Sequence, residues 1–143
     1  MIKVFELLHT KGHEVRGIQK SMTVAEAAKA FLERDGSSLL VYDNNKLAGI
    51  FTKNDLVRCC VRDKACWDQP VSAVMTPDLF TVPSDATLED VFEEMVRRGL
   101  HHVPVMDGDR AVGMLTPTDV LLHQKGTLDF ENQELMRYIT GSY

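Results

Sequence analysis

The sequence predicts an α/β fold of the α+β type, in which two βαββα repeats pack sheet to sheet with pseudo-twofold symmetry. Three observations predict it. The chain matches itself at an offset of 64 residues, both copies pass through the same apolar periods and turn signals, and both close on an apolar-Thr-x-x-Asp sequence. Thr23-Val24-Ala25-Glu26-Ala27-Ala28 falls on Thr87-Leu88-Glu89-Asp90-Val91-Phe92, and Val41-Tyr42-Asp43 on Val105-Met106-Asp107. Gly49-Ile50-Phe51-Thr52-Lys53-Asn54-Asp55 falls on Gly113-Met114-Leu115-Thr116-Pro117-Thr118-Asp119. Period, caps and turns recurring in one register mark a duplicated structural unit.

Each element follows in order. Val15 to Ile18 and Leu79 to Val82 are short apolar strands. Thr23, with Glu26 three residues on, starts a helix, and Thr87 with Asp90 repeats the arrangement. Val24, Ala27, Ala28, Phe31 and Leu32, and in the second copy Leu88, Val91, Phe92, Met95 and Val96, recur at helical spacing and are expected in the core. Ser38 to Tyr42 and Leu47 to Phe51 flank the turn sequence Asp43-Asn44-Asn45-Lys46 and read as a hairpin. His102 to Met106 and Ala111 to Leu115 flank Asp107-Gly108-Asp109-Arg110 in the same way. Pro104 cannot donate to a ladder, so it is expected to face an edge or open side. A last helix starts after Thr52 and after Thr116. Between the copies, Val71 to Pro77 reads as a short helix ended by proline. Met1 to Leu8 reads as a similar lead-in turn for the first copy, and Glu131 to Ile139 as a C-terminal helix.

The 143 residues suffice for one domain with a real core, whereas a copy of roughly 60 residues is marginal alone. The expected division is one module over 1–143, with the first repeat at 5–62, the second at 70–125 and a tail or helix at 126–143. A formal charge of −5 argues against a nonspecific nucleic-acid surface. No apolar run reaches the roughly 20 residues of a membrane span, and the first residues lack signal-peptide form, so the expected location is cytoplasmic. Cys59, Cys60 and Cys66 are an odd number with no matching pair for zinc, and read as reduced thiols whose role the sequence leaves open. No nucleophile elbow, P-loop or metalloprotease motif is present, so no catalytic residue, metal ligand or required cofactor is expected.

The motif that can carry chemistry is Thr52-x-x-Asp55 with its repeat Thr116-x-x-Asp119. Each sits where a strand ends and a helix begins, where free N–H groups and the helix dipole favour an anion. A threonine hydroxyl can donate to phosphate, and an aspartate can accept both hydroxyls of a ribose. The same spacing is a helix-capping signature, and the two roles are compatible. His101 and His102 enter a strand side by side, so they point to opposite faces and one can meet a cleft.

Together Gly49 to Arg58, Val71 to Pro77 and His101 to Val105 resemble a tandem CBS-domain pair, a Bateman module, of the stand-alone prokaryotic type. The resemblance covers residues 5 to 123. It implies a module without catalytic activity that binds AMP, ADP or ATP, or less often S-adenosylmethionine or an NAD-like ligand, in clefts between repeats. It also implies a homodimer and a regulated partner protein. Carried over, the first cleft takes Thr81, Val82, Ala86, Leu100 and His101 with Thr52 and Asp55, and His102 and Arg58 approach the phosphates. The second takes Gly17, Ile18, Met22, Gly36 and Ser37 with Thr116 and Asp119, and Lys20 is its nearest basic residue. Met22 in place of Ala86, Ser37 in place of His101 and Pro117 at the helix start predict weaker binding there. A ligand-free interaction module is the competing expectation. A small enzyme or redox protein using the histidines or thiols is a third.

Overall fold

The computed structural model describes residues 2–11, 15–34 and 36–127. Its elements are α1 (Val4–Lys11), β1 (Gly17–Gln19), α2 (Val24–Arg34), β2 (Ser38–Asp43), β3 (Lys46–Thr52) and α3 (Lys53–Arg62). Two 3-10 turns, Cys66–Asp68 and Val71–Ala73, lead to β4 (Val82–Pro83), α4 (Leu88–Arg98), β5 (Val103–Asp107), β6 (Arg110–Leu115) and α5 (Pro117–Thr127). The sheets run β1-β2-β3 and β4-β5-β6. In each, the first pair is parallel and the second antiparallel. The predicted α/β architecture of two βαββα copies is therefore present. The helix expected over Glu131 to Ile139 lies outside the described residues.

The repeat extends to backbone detail. The hairpins carry a bulge at equivalent places, between Val41 and Tyr42 and between Val105 and Met106. Their turns need a positive φ at equivalent places, supplied by Asn44 at 57° and Gly108 at 63°. Thr23 and Thr87 cap α2 and α4, their hydroxyls accepting the N–H of Glu26 at 3.2 Å and of Asp90 at 3.3 Å. Val24, Ala27 and Phe31 are buried beneath α2, and Leu88, Val91 and Met95 beneath α4. The predicted stripe is one position too wide, however. Leu32 is 86% exposed and its counterpart Val96 67%. Both lie at the last turn, where the helix has rotated its apolar face off the sheet.

Pro104 sits in the middle strand, buried, opposite Met114 on β6. Its counterpart Leu40 donates its N–H to the Arg16 carbonyl at 2.9 Å. Proline has no N–H to give. β4 accordingly starts only at Val82, one residue later than β1, so the open side expected for Pro104 is the unpaired stretch before β4.

The segments preceding the copies differ from expectation. Residues 4–11 form a helix rather than a turn, and Val71–Ala73 forms only a 3-10 turn. α1 places Val4, Leu7 and Leu8 in the core of the second copy, with Val91, Met95 and Val105. Val4 donates to the Ala86 carbonyl, and Leu88 to that of Ile2. The inter-copy segment does the same for the first copy: Val71 donates to the Met22 carbonyl, Val24 to that of Gln69, and Val71 and Cys66 join Val24 and Phe51 in the core. The two lead-ins are related by 67 residues, not 64, as the pairs Val4–Ala86 and Val71–Met22 require.

Between the sheets, Leu40 and Ile50 meet Ala111, with Val15, Tyr42, Leu79 and Met106 packed round them. This third core is built by both copies. It is what joins two units each too small to be comfortable alone.

Candidate functional site

The strand-to-helix corners hold the predicted hydroxyl and carboxylate, and both pairs are tied into full capping boxes. Asp55 Oδ2 accepts from the Thr52 N–H at 2.9 Å and from its hydroxyl at 3.0 Å, and the Asp55 N–H donates back to Thr52 Oγ1 at 3.2 Å. Asp119 Oδ2 accepts the equivalent bonds from Thr116 at 2.8 and 2.9 Å, with the return bond at 3.3 Å. The corners differ in what else they hold. Asp55 is 5% exposed, and its Oδ1 accepts from Arg58 at 3.1 Å and from the Thr76 hydroxyl at 3.2 Å. Asp119 is half-buried. Thr76 reaches Asp55 because the inter-copy segment bridges β3 at Ile50, which Gly49 permits: a Cβ there would lie 2.7 Å from the Thr76 carbonyl.

Pro117 was expected to weaken the second corner by removing a helix N–H. Its counterpart, the Lys53 N–H, is already given to the Ser37 carbonyl at 3.1 Å. Neither corner therefore offers that donor, and the proline does not distinguish them.

The corner at α3 also touches the second copy. The Ser37 hydroxyl lies 3.4 Å from His102 Nε2. Ser37 thus joins the start of α3, through its carbonyl, to the His102 ring across the seam. His101 is exposed beside it. Ile18 and Met22 pack against the first copy's core, and Val82, Ala86 and Leu100 belong to or pack against the second copy's. Lys20 is paired with Asp43 at 3.1 Å on the surface.

Three cavities lie near these residues. One of about 420 Å³ is lined by Asp55, Arg58, Arg62, Met75 and Thr76, beside the thiols of Cys59 and Cys66. The other two open between the copies and are pseudo-twofold equivalents. The larger, about 600 Å³, is lined by Val15, Gly17, Tyr42 and Asn45 of the first copy and by Arg110 and Ala111 of the second. The smaller, about 380 Å³, is lined by Leu79, Thr81, Met106 and Asp109 of the second and by Lys46 and Leu47 of the first. Most of their lining positions correspond at an offset of 64, as Val15 with Leu79, Gly17 with Thr81, Tyr42 with Met106 and Arg110 with Lys46. All three volumes fall in the range of roughly 300–1,000 Å³ usual for small-molecule sites. The seam cavities take Gly17 and Thr81 but are lined from the hairpin end of the strands. Ala48, on the smaller one, is separated from Thr52 by four residues, about 13 Å of strand. One ligand reaching both groups of residues therefore has to span that length of strand.

The thiols form a cluster in the first core. Cys66 Sγ lies 3.8 Å from Cys60 Sγ, and all three are unoxidised. Burial, and then the neighbouring Cys66 thiol, push the Cys60 pKa up. The hydrogen bond with Cys59, and then burial, raise that of Cys66. Both shifts favour the protonated thiols of Cys60 and Cys66. Among the described residues no group of His, Cys, Asp and Glu is placed to hold a metal, and no helix is long and apolar enough to cross a membrane.

Comparisons with known proteins agree with the duplicated architecture. The profile of the CBS domain matches residues 11–62 and again residues 71–126. The 17.7 kDa protein of the bps2 3′ region of Acidianus ambivalens is 33% identical over 105 residues, which are 73% of this chain and 61% of that protein. The crystal structure of the CBS-domain protein ATU1752 from Agrobacterium tumefaciens superimposes with a TM-score of 0.79 at 28% identity, covering 86% of this chain and 99% of that one. The CBS domain pair of protein MJ0100, solved in complex with 5′-methylthioadenosine and S-adenosyl-L-methionine, superimposes with a TM-score of 0.76 at 22% identity over 90% of this chain and 99% of that one.

Proposed function

The chain belongs to the CBS-domain family, and from that premise we propose that it is a regulatory module without catalytic activity, binding an adenosine-containing ligand between its two repeats. One observation carries the reading. The seam holds two equivalent cavities, each walled by both copies, so a ligand in either touches both and fixes their relative position. A difference in ligand affinity between two arrangements of the copies is what a sensor requires.

AMP, ADP or ATP is the proposed ligand, with S-adenosylmethionine as the second reading, favoured by the complex of the MJ0100 pair. The ribose hydroxyls are assigned to Asp55, whose Oδ1 would exchange Arg58 or Thr76 for one of them. Thr81, His101 and His102 are assigned to the same ligand, and Gly17, Ser37, Thr116 and Asp119 to the second site. The Gly17 cavity is the roomier of the two, which supports binding at the second site as well.

The signal is proposed to pass to a second copy of the chain and to a partner protein in the cytoplasm. Exposed apolar side chains on the helices support the homodimer: Leu32 of α2 with Val57 and Val61 of α3, and Val96 of α4 with Leu122 of α5.

The test is the melting temperature with AMP, ADP, ATP, NAD, 5′-methylthioadenosine and S-adenosylmethionine, beside mass spectrometry of what copurifies. A rise with one of them, growing with its concentration as mass action demands, is expected. No rise with any of them overturns the reading and leaves the ligand-free interaction module.

A further inference from the structure

The first copy gathers three thiols that ligand binding does not use. Cys59 and Cys60 lie in the last turn of α3, and Cys66 begins the 3-10 turn that follows. The chain reverses between them. The Asp63 N–H closes α3 on the Cys59 carbonyl at 3.0 Å, and the Cys66 N–H returns to the Asp63 carbonyl at 3.1 Å. This reversal sets Cys66 Sγ 3.8 Å from Cys60 Sγ. A disulfide holds its sulfurs at about 2.05 Å, so roughly 2 Å remains to be closed, within reach of side-chain rotation and a small shift of the turn.

Exposure gives the two thiols different roles. Cys60 is only half-buried, whereas Cys66 is 1% exposed. An oxidant from solvent meets Cys60 first, and Cys66 stands behind it. The second copy has His123 and Gln124 where the first has Cys59 and Cys60, so the arrangement is peculiar to the first. Cys66 also opens the segment that leads to the Asp55 corner. Along that segment Gln69 accepts from the Val24 N–H, Val71 donates to the Met22 carbonyl, and the Thr76 hydroxyl donates to Asp55 Oδ1 at 3.2 Å. A bond from Cys60 to Cys66 would tie this segment to the helix that Asp55 caps.

We propose that Cys60 and Cys66 form a reversible disulfide on exposure to a peroxide, fastening the inter-copy segment to α3. The Cys60 thiolate attacks hydrogen peroxide: an S–O bond forms, the O–O bond breaks, and the departing hydroxide takes up a proton as water. The Cys66 sulfur then attacks the sulfenic sulfur. The S–S bond forms, the S–O bond breaks, and the oxygen leaves with the Cys66 proton as a second water. Two thiols thereby give up two electrons and two protons, and one peroxide becomes two waters. Only the thiolate is nucleophilic, so burial makes the first step slow and dependent on pH. The proposal is independent of the adenosine-ligand reading.

The test treats the reduced full chain with hydrogen peroxide and counts free thiols after denaturation. Wild type is expected to fall from three thiols to one, without cross-linked dimers on a non-reducing gel, and to regain all three in dithiothreitol. The rate should rise about tenfold per pH unit below the thiol pKa, as the thiolate fraction does. Cys60→Ser, or Cys66→Ala should the first fold poorly, should keep both of its remaining thiols. Cys59→Ser should lose both. Amide exchange over Val71 to Thr76 should slow in the oxidised protein. Three thiols that survive peroxide at alkaline pH overturn the proposal. So does thiol loss at the wild-type rate in Cys60→Ser, which makes Cys59 the partner, or oxidation that ends in a sulfinic acid. Amide exchange unchanged by oxidation overturns the fastening of the segment.

Discussion

The two copies share a backbone down to the bulge and the turn, yet they differ wherever the third dimension brings in a residue from outside the repeat. Leu40 donates to Arg16, and Pro104 donates to nothing. Asp55 receives Thr76 and Arg58 in addition to its own cap. Gly49 is pressed by the inter-copy segment, while Gly113 is pressed by α1, where a Cβ would lie 2.6 Å from a Leu8 methyl. Duplication fixes local structure twice. It does not fix the neighbours twice, and the neighbours decide how much each equivalent residue matters.

The comparison breaks most visibly at the parallel strand pair. Leu40→Pro should cost about 4 kcal/mol, because it strands the Arg16 carbonyl and empties part of a core position. Pro104→Leu should stay within about 1 kcal/mol of wild type, since a regained N–H offsets the lost stiffness of proline. Urea denaturation of the pair measures both, and equal losses would mean that β1 and β4 are equivalent after all.

The corners come next. Asp55→Ala leaves three donors and a cation without their acceptor in a buried setting and should cost about 3 kcal/mol. Asp119→Ala loses a half-exposed cap and should cost about 1 kcal/mol. The glycines follow. Gly49→Ala drives a Cβ into a backbone carbonyl and should cost about 2 kcal/mol, against about 1 kcal/mol for Gly113→Ala, where a leucine methyl can turn aside.

The smallest difference is acid dependence. Hydrogen bonds from Arg98 and then Arg97 hold the Glu94 carboxyl below the usual carboxylate range. A depressed pKa gives stability that is present above the unfolded-state value and is lost as pH falls through the folded-state value. Wild type should therefore lose a small increment on acidification that Glu94→Gln does not lose, read from melting temperatures at neutral and acid pH. The first copy has Ala30 at that position and contributes no such increment.

Much of this was legible before any coordinates. The 64-residue offset carried strands, turns, caps and the pairing of the sheets, because those depend on residues close in sequence. The stripe on α2 and α4 was over-read at Leu32 and Val96, since periodicity says which residues share a face but not where the sheet beneath ends. The packing of α1 on the second copy was hidden by its different offset of 67. Arg16 gave no signal at all. An arginine beside a strand is ordinary, and only its packing on Gly36 and the lack of an acceptor for Nη1 among the described residues mark it. The Thr-x-x-Asp pairs were found for a correct local reason. Their separation from Thr81 along β3 follows from strand length, which motif spacing does not encode.

The exchange of lead-ins has a consequence for how the molecule comes apart. The stretch that was duplicated and the stretch that folds are out of phase: α1 roofs the half encoded farther down the chain, while the linker roofs the half before it. Deleting the first ten residues should loosen the far half first, with amide exchange rising around Val91 and Val105 while α2 stays protected. Each half is thus clasped by a piece of chain that a simple cut at the repeat boundary would assign to the other.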